Sequence, residues 1–349
     1  MGLINDIFGV MPDGREVQLV TLRGTGGIEM SIITYGAIVV SLEIPDRSGE
    51  FADVVLGHDD IDSYIERSPY FGAVIGRYAN RIADGTFELN GVRYEVSRNE
   101  GNGCLHGGIN GFDKAVWTID ALGDDFVRLT HTSSNGDQGF PGEMTARVTY
   151  TLTDADELEI VYDAVTTAPT VVNLTQHTYW NLAGGLAHDV LSHELTIAAS
   201  HYIPVDDSLI PTGEILYVDG TPFDFRSPVP IGARINDDDQ QLRICGGYDH
   251  NLVLDRQLPE VKPSAMLRDP GSGRTLAIST TEPGLQLYTG NRLDGAISGK
   301  RGEQYHRYGG VCLETQHFPN SPNNPRFPST ALSPRRAFRS RTVFAFSVT

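Results

Sequence analysis

Apolar and polar positions alternate with a period of two along most of this chain, and that period predicts strands rather than helices. Met144, Ala146, Val148, Tyr150 and Leu152 share one face of a segment whose other face is Thr145, Arg147, Thr149 and Thr151. Beyond the turn Asp154-Ala155-Asp156, Leu158, Ile160, Tyr162 and Ala164 repeat the pattern against Glu157, Glu159 and Asp163. Half-buried strands of this kind pair antiparallel across short turns. Shorter β-rich runs at 17–22 and 29–33 flank the turn Gly24-Thr25-Gly26-Gly27. A helical pattern is scarce. Residues 59–65 carry one, with aspartates placed to cap its start and Pro69 beyond its end. The chain reads as one all-β domain spanning residues 1–349, a large antiparallel β-sandwich with few short helices.

Two stretches break the alternation in ways that suggest chemistry. Read as a strand, residues 173–182 place Asn173, Thr175, His177, Tyr179 and Asn181 on one face. Leu174, Trp180 and Leu182 lie on the other and can pack inward. A row of hydroxyls, amides and an imidazole is costly to bury without partners, so this strand is expected to floor a polar cleft. A solvent-facing sheet surface is the plainer alternative. In Gly309–Asn320, Glu314 sits between apolar neighbours on both strand faces, since Val311 and Leu313 point one way and Cys312 and Phe318 the other. A glutamate in that setting needs a partner or a function.

Composition narrows the partners. Against 27 basic residues stand 45 acidic ones, a net charge of −18, which repels phosphate backbones and argues against nucleic acid. The basic run Arg335, Arg336, Arg339 and Arg341 alternates with apolar residues and reads as the solvated face of a last strand. Three separated cysteines, Cys104, Cys245 and Cys312, suit reduced thiols in a cytoplasm. No apolar run approaches membrane-spanning length. The glycines near the start do not complete GxGxxG, and GxxxxGK[ST] does not occur. The expectation is a cytoplasmic protein, monomer or homodimer, with no nucleic-acid or membrane partner and no nucleotide site.

Three further stretches supply polar groups. His106 lies in Leu105-His106-Gly107-Gly108, where glycines would let a ligand approach the backbone. Asp249 follows Gly246-Gly247-Tyr248, and Gln286 sits in Gly284-Leu285-Gln286-Leu287-Tyr288. Taken singly, each fits a structural role.

Taken together and in order, these segments resemble the aldose 1-epimerases, or galactose mutarotases. The resemblance runs from about Tyr70 onward through Gly76-Arg77-Tyr78-Ala79-Asn80-Arg81-Ile82, Leu105-His106-Gly107-Gly108, Asn173-Leu174-Thr175-Gln176-His177, Tyr248-Asp249-His250-Asn251 and Leu313-Glu314-Thr315-Gln316-His317-Phe318-Pro319. Gln176, Thr178 and Trp180 depart from the family's usual asparagine, serine and phenylalanine. The resemblance implies a β-sandwich of the galactose mutarotase type, acting without cofactor or metal on small-molecule aldoses such as glucose and galactose in hexose metabolism. It implies Glu314 as general base, His177 as general acid, and Asn80, Arg81, His106, Asp249 and Gln286 as sugar-binding residues. Nearby carboxylates are expected to raise the His177 pKa, so that His177 sets the alkaline limb of activity. A glycoside hydrolase using Glu314 with Asp249, a non-catalytic sugar-binding module, and an epimerase of phosphorylated hexoses using Arg77 with Arg81 are the competing readings.

Overall fold

The computed structural model describes residues 2–184, 189–255 and 263–349. Among them every strand pair within a sheet is antiparallel, and three large sheets account for most of the fold. A five-stranded meander runs from Gly2–Val10 to Phe51–Asp53. A nine-stranded sheet holds Met144–Leu152, Glu157–Thr166 and Phe338–Val348 at its centre. The third sheet has six strands, in the order Tyr179–Trp180, Val311–Gln316, Gly284–Tyr288, Asp249–Leu254, Ala199–Ile203 and Leu216–Tyr217.

Period-two alternation decides how the sheets stack. Strand Met144–Leu152 is alternately buried and part-buried over its whole length, as its sequence demands. Its buried face, with Leu158, Ile160 and Tyr162 of the next strand, joins one continuous core. Leu252 and Leu285, Leu287 and Val311, Leu313 of the six-stranded sheet enter the same core. The opposite faces of those three strands are therefore turned away from the main core and are free to carry polar residues. Helix formation follows its caps: Ile61–Arg67 starts at Asp60, whose side chain accepts from the Ser63 N–H at 2.8 Å. The last strand carries Arg339 and Arg341 outward, paired with Asp163 and Glu159 of the neighbouring strand.

The segment 173–182 differs from the continuous strand its alternation suggests. It holds two short strands, Thr175–Gln176 and Tyr179–Trp180, which join different partners. The cause is visible in its side chains, which bond to backbone elsewhere. Asn173 Nδ2 donates to the carbonyls of Ala79 and His317, Thr175 Oγ1 to that of Thr315, and Asn181 Nδ2 to that of Gly309. These residues brace neighbouring segments, while His177 and Tyr179 reach the cleft. Trp180 packs in the core against Phe344 and Phe346.

Arg77 is also structural. It is 2 % exposed, and all five of its N–H donors are used. Nε bonds Ser133 Oγ, Nη1 the carbonyls of Pro141 and Gly142, and Nη2 those of Ser133 and Ser134, at 2.7–3.0 Å. This arginine fastens the segment carrying Asn80 and Arg81 to the 133–142 hairpin, and it has no donor left for a phosphate. Arg77→Lys keeps the charge but has three donors without the planar fork, leaving buried carbonyls unmet. It should lower unfolding free energy by about 2–4 kcal/mol in urea titrations. A change under about 0.5 kcal/mol would show that the fork is dispensable.

Candidate active site

The register of the six-stranded sheet sets a polar strip across it. Asn251 stands opposite Gln286, and Gln286 opposite Glu314. In the next row Asp249, Tyr288, Cys312 and Tyr179 stand side by side. A pocket of about 120 Å3 lies over this strip. Two elements outside the three large sheets complete it, a loop bringing Pro69 and Tyr70, and a two-stranded pair that sets Asn80 and Arg81 beside Leu105 and His106. Glu314, His177, His106, Asn80, Arg81 and Asp249 all line the pocket. Gln286 lies just beneath, its Nε2 donating to Asp249 Oδ1 at 2.7 Å, and it is buried rather than solvated.

Local backbone geometry explains how Asn80 and His106 come to face one another. Both take left-handed φ, 62° and 52°, a region costly for most side chains but accessible to Asn and His. Their backbones and side chains interlock. His106 N–H donates to the Asn80 carbonyl at 3.0 Å, and Asn80 N–H donates to His106 Nδ1 at 3.1 Å. The glycines after His106 serve chain packing rather than ligand approach: a Cβ on Gly107 would lie 1.9 Å from the Gly76 carbonyl oxygen.

That bond to Nδ1 fixes the His106 tautomer. Because Nδ1 accepts, the ring proton of neutral His106 sits on Nε2, which can donate to a sugar oxygen. Burial, then the neighbouring His177, hold the His106 pKa well below its ordinary value, keeping the ring neutral. The ligating atoms of His106, His177 and Glu314 lie within 4.8 Å of one another, close enough to suggest a cation site. The tautomer opposes it: a metal on Nε2 would displace that proton and require Nδ1–H, which would face the Asn80 N–H.

Glu314 is 2 % and His177 4 % exposed. Glu314 Oε1 lies 3.8 Å from His177 Nε2, and no donor among the described residues reaches Glu314 Oε2. Burial, then the Asp249 charge, push the Glu314 pKa well above the usual carboxylate range, with Arg81 opposing. Burial drives His177 the other way, down to about 4, although its own backbone and Asp249 favour the charged ring. The sequence-based expectation of a raised histidine pKa is therefore overturned, because desolvation outweighs the carboxylates. His177 is enclosed by rings: Tyr70 at 5.6 Å, Tyr179 at 5.2 Å and His106 at 5.1 Å between centroids. Cys312 Sγ lies 3.6 Å from His177 Nδ1, and burial keeps this thiol protonated.

Tyr70, Tyr288, Glu100 and Arg292 belong to the site or its rim and were not foreseen. Tyr288 had a signal, since it follows Gln286 by two residues on the same strand face. The departures at Gln176 and Trp180 do not touch the pocket: Gln176 Oε1 accepts from Tyr150 Oη in the core.

Fold and pocket define an all-β protein in which a buried carboxyl–imidazole pair is ringed by polar side chains. Comparison makes this specific. The aldose 1-epimerase family profile matches residues 18–345. A galactose mutarotase from Sus scrofa is 43 % identical over 100 % of this chain and 99 % of its own. An aldose 1-epimerase from Escherichia coli is 38 % identical over 99 % of each. The crystal structure of an aldose epimerase homologue from C. elegans superposes with a TM-score of 0.88 at 32 % identity, covering 94 % of this chain and 98 % of that one. The chain belongs to the aldose 1-epimerase family, and it is an isomerase that interconverts sugar anomers.

Dialysis against EDTA should leave turnover unchanged, as the His106 tautomer requires. Activity lost to the chelator and restored by a divalent ion would show that Nε2 ligates a metal.

Proposed function

We propose that this chain opens and recloses the rings of free aldoses, glucose and galactose among them, with Glu314 as base and His177 as acid. Opening removes a proton from the C1 hydroxyl and adds one to the ring oxygen. Rotation about C1–C2 and the reverse transfers then close the ring on the other face of C1. The hydroxyl and the ring oxygen are bonded to the same carbon, so base and acid must stand close together. The observation that carries the reading is the Glu314–His177 separation of 3.8 Å, with both groups buried in one pocket. Asn80, Arg81, His106, Asp249 and Gln286 bind the remaining hydroxyls. Asp249 is engaged by Gln286 and lies 3.7 Å from Arg81 Nη1, which favours a binding role over that of a hydrolase acid. A single domain, a monomer or homodimer in the cytoplasm, acting in hexose metabolism without nucleic-acid or membrane partners, completes the reading. Three free cysteines agree with that compartment.

Polarimetry on freshly dissolved α-D-glucose and α-D-galactose is the direct test. Glu314→Gln should lower kcat by about 10²–10⁴-fold with sugar still bound, and His177→Asn should behave similarly. Near-wild-type rates in Glu314→Gln would remove the base from the scheme.

Asp249→Ala should chiefly raise KM, because a carboxylate accepting hydroxyl hydrogen bonds holds ground and transition states alike. A collapsed kcat at unchanged KM would give Asp249 a chemical role.

The pair also sets the pH dependence. Carboxylate with imidazolium and carboxylic acid with imidazole hold the same single proton, so the working form arises by transfer within the pair, without exchange with solvent. Activity should fall at the acid side only near pH 4, where His177 takes a second proton, and at the alkaline side when the pair loses its one proton. Profiles of kcat/KM, corrected for the uncatalysed reaction, would refute this with an acid limb near ~6.5, the ordinary histidine value.

A further inference from the structure

Outside the catalytic pocket lies a cleft of about 550 Å3, and Arg81 and Arg292 line both. Two guanidinium groups at such a junction are well suited to a carboxylate or phosphate on the incoming sugar. Here a side chain of the protein already stands between them. Glu100 Oε2 accepts Arg81 Nε at 2.6 Å, and Oε1 accepts Arg81 Nη2 and Arg292 Nη1, each at 3.0 Å. The remaining Arg81 nitrogen, Nη1, faces Asp249 at 3.7 Å. Arg81 is buried, Glu100 half-buried and Arg292 exposed, so the carboxylate sits at the threshold between pocket and solvent. Burial would raise the Glu100 pKa, but the two arginines outweigh it and hold the group ionised. Asp84, Asp206 and Asp207 on the cleft wall add negative charge along the approach.

We propose that Glu100 makes this site selective for uncharged sugars, by filling from within the protein the position that an anionic substituent would take between Arg81 and Arg292. Glu100 is then a specificity-determining residue. It takes two nitrogens of the Arg81 fork and one of Arg292, so a sugar acid or sugar phosphate meets a carboxylate between the two cations it would need. A neutral polyol loses nothing by this arrangement, because Arg81 remains held at the pocket edge. The proposal rests on the mutarotase reading of the same pocket.

The test uses the full chain, D-galactose mutarotation, and inorganic sulfate as an anion that needs no particular orientation, with ionic strength held constant by chloride. E100Q should be inhibited competitively by sulfate, with an inhibition constant at least about ten-fold below wild type, the scale of one charge-assisted hydrogen bond. E100D should restore the wild-type pattern, and E100Q/R292Q should lose most of the gain. E100Q should also raise kcat/KM for D-galacturonate relative to D-galactose. If E100Q is poorly active, a sulfate-dependent rise in its Tm beyond that of wild type reads the same site. Equal sulfate sensitivity in wild type and E100Q, by inhibition and by Tm, would overturn the filter. An unchanged galacturonate-to-galactose ratio would overturn its role in selectivity. Wild-type protein inactive on D-galactose would instead sink the functional reading on which the filter rests.

Discussion

Exclusion of water from one carboxyl and one imidazole is the constraint around which this structure is arranged. Glu314 lies in a strand with every residue buried, Val311–Gln316, and a carboxylate there loses its hydration without gaining an equivalent cation. Desolvation of His177 works in the same direction, toward the neutral ring. Each group alone would be a liability. Together they can share one proton, and burial favours the neutral form of both groups. In the proposed mechanism, a sugar hydroxyl placed between them gives that proton a path along which charge need not separate far in a low dielectric.

Holding such a pair requires a frame that does not yield, and the frame is mostly backbone. Cross-strand register places Gln286 beside Glu314 and Tyr288 beside Cys312, so the floor of the pocket is fixed to the precision of a β-ladder. The roof has no such ladder beyond two short strands. It is secured by Arg77, whose five bonds anchor the segment leading to Asn80, and by the reciprocal bonds between Asn80 and His106. Left-handed φ at both of those residues is a local cost that the surrounding bonds offset. Sheet below and cross-bonded loops above make a rigid site from unlike materials.

What the sequence disclosed follows from the range of the forces involved. Alternation is local, so strands such as Met144–Leu152 and the burial of Glu314 between apolar neighbours were legible directly. The Asp60 cap was legible for the same reason. Segment 173–182 misled because its alternation was real while its partners were distant: Asn173 serves the carbonyl of His317, and Asn181 that of Gly309. Period alone does not say whether a polar face meets a ligand or another stretch of backbone. The His177 pKa was misjudged because carboxylates can be counted in a sequence, whereas enclosure by Tyr70, Tyr179 and His106 exists only once the chain has folded. Glu100 and Arg292 are 192 residues apart and carry no local pattern that links them.

With Glu314 as the base we propose, the charges around it show why that distant pair matters to the chemistry. Asp249 pushes the Glu314 pKa up and Arg81 pulls it down, so the strength of the base depends on how much of the arginine's charge it experiences. Arg81 donates two bonds to Glu100 and faces Asp249 with its third nitrogen, which sets its positive charge among two negative ones. An arginine so compensated can still orient a hydroxyl, but it weakens the base less than a bare guanidinium would at the same place. Freed from Glu100, it would stabilise the Glu314 carboxylate and make it a poorer acceptor of the C1 proton. In the proposed mechanism, compensation of Arg81 thus serves binding and basicity at once: the sugar keeps a hydrogen-bond donor, and the carboxyl keeps the raised affinity for a proton that ring opening requires.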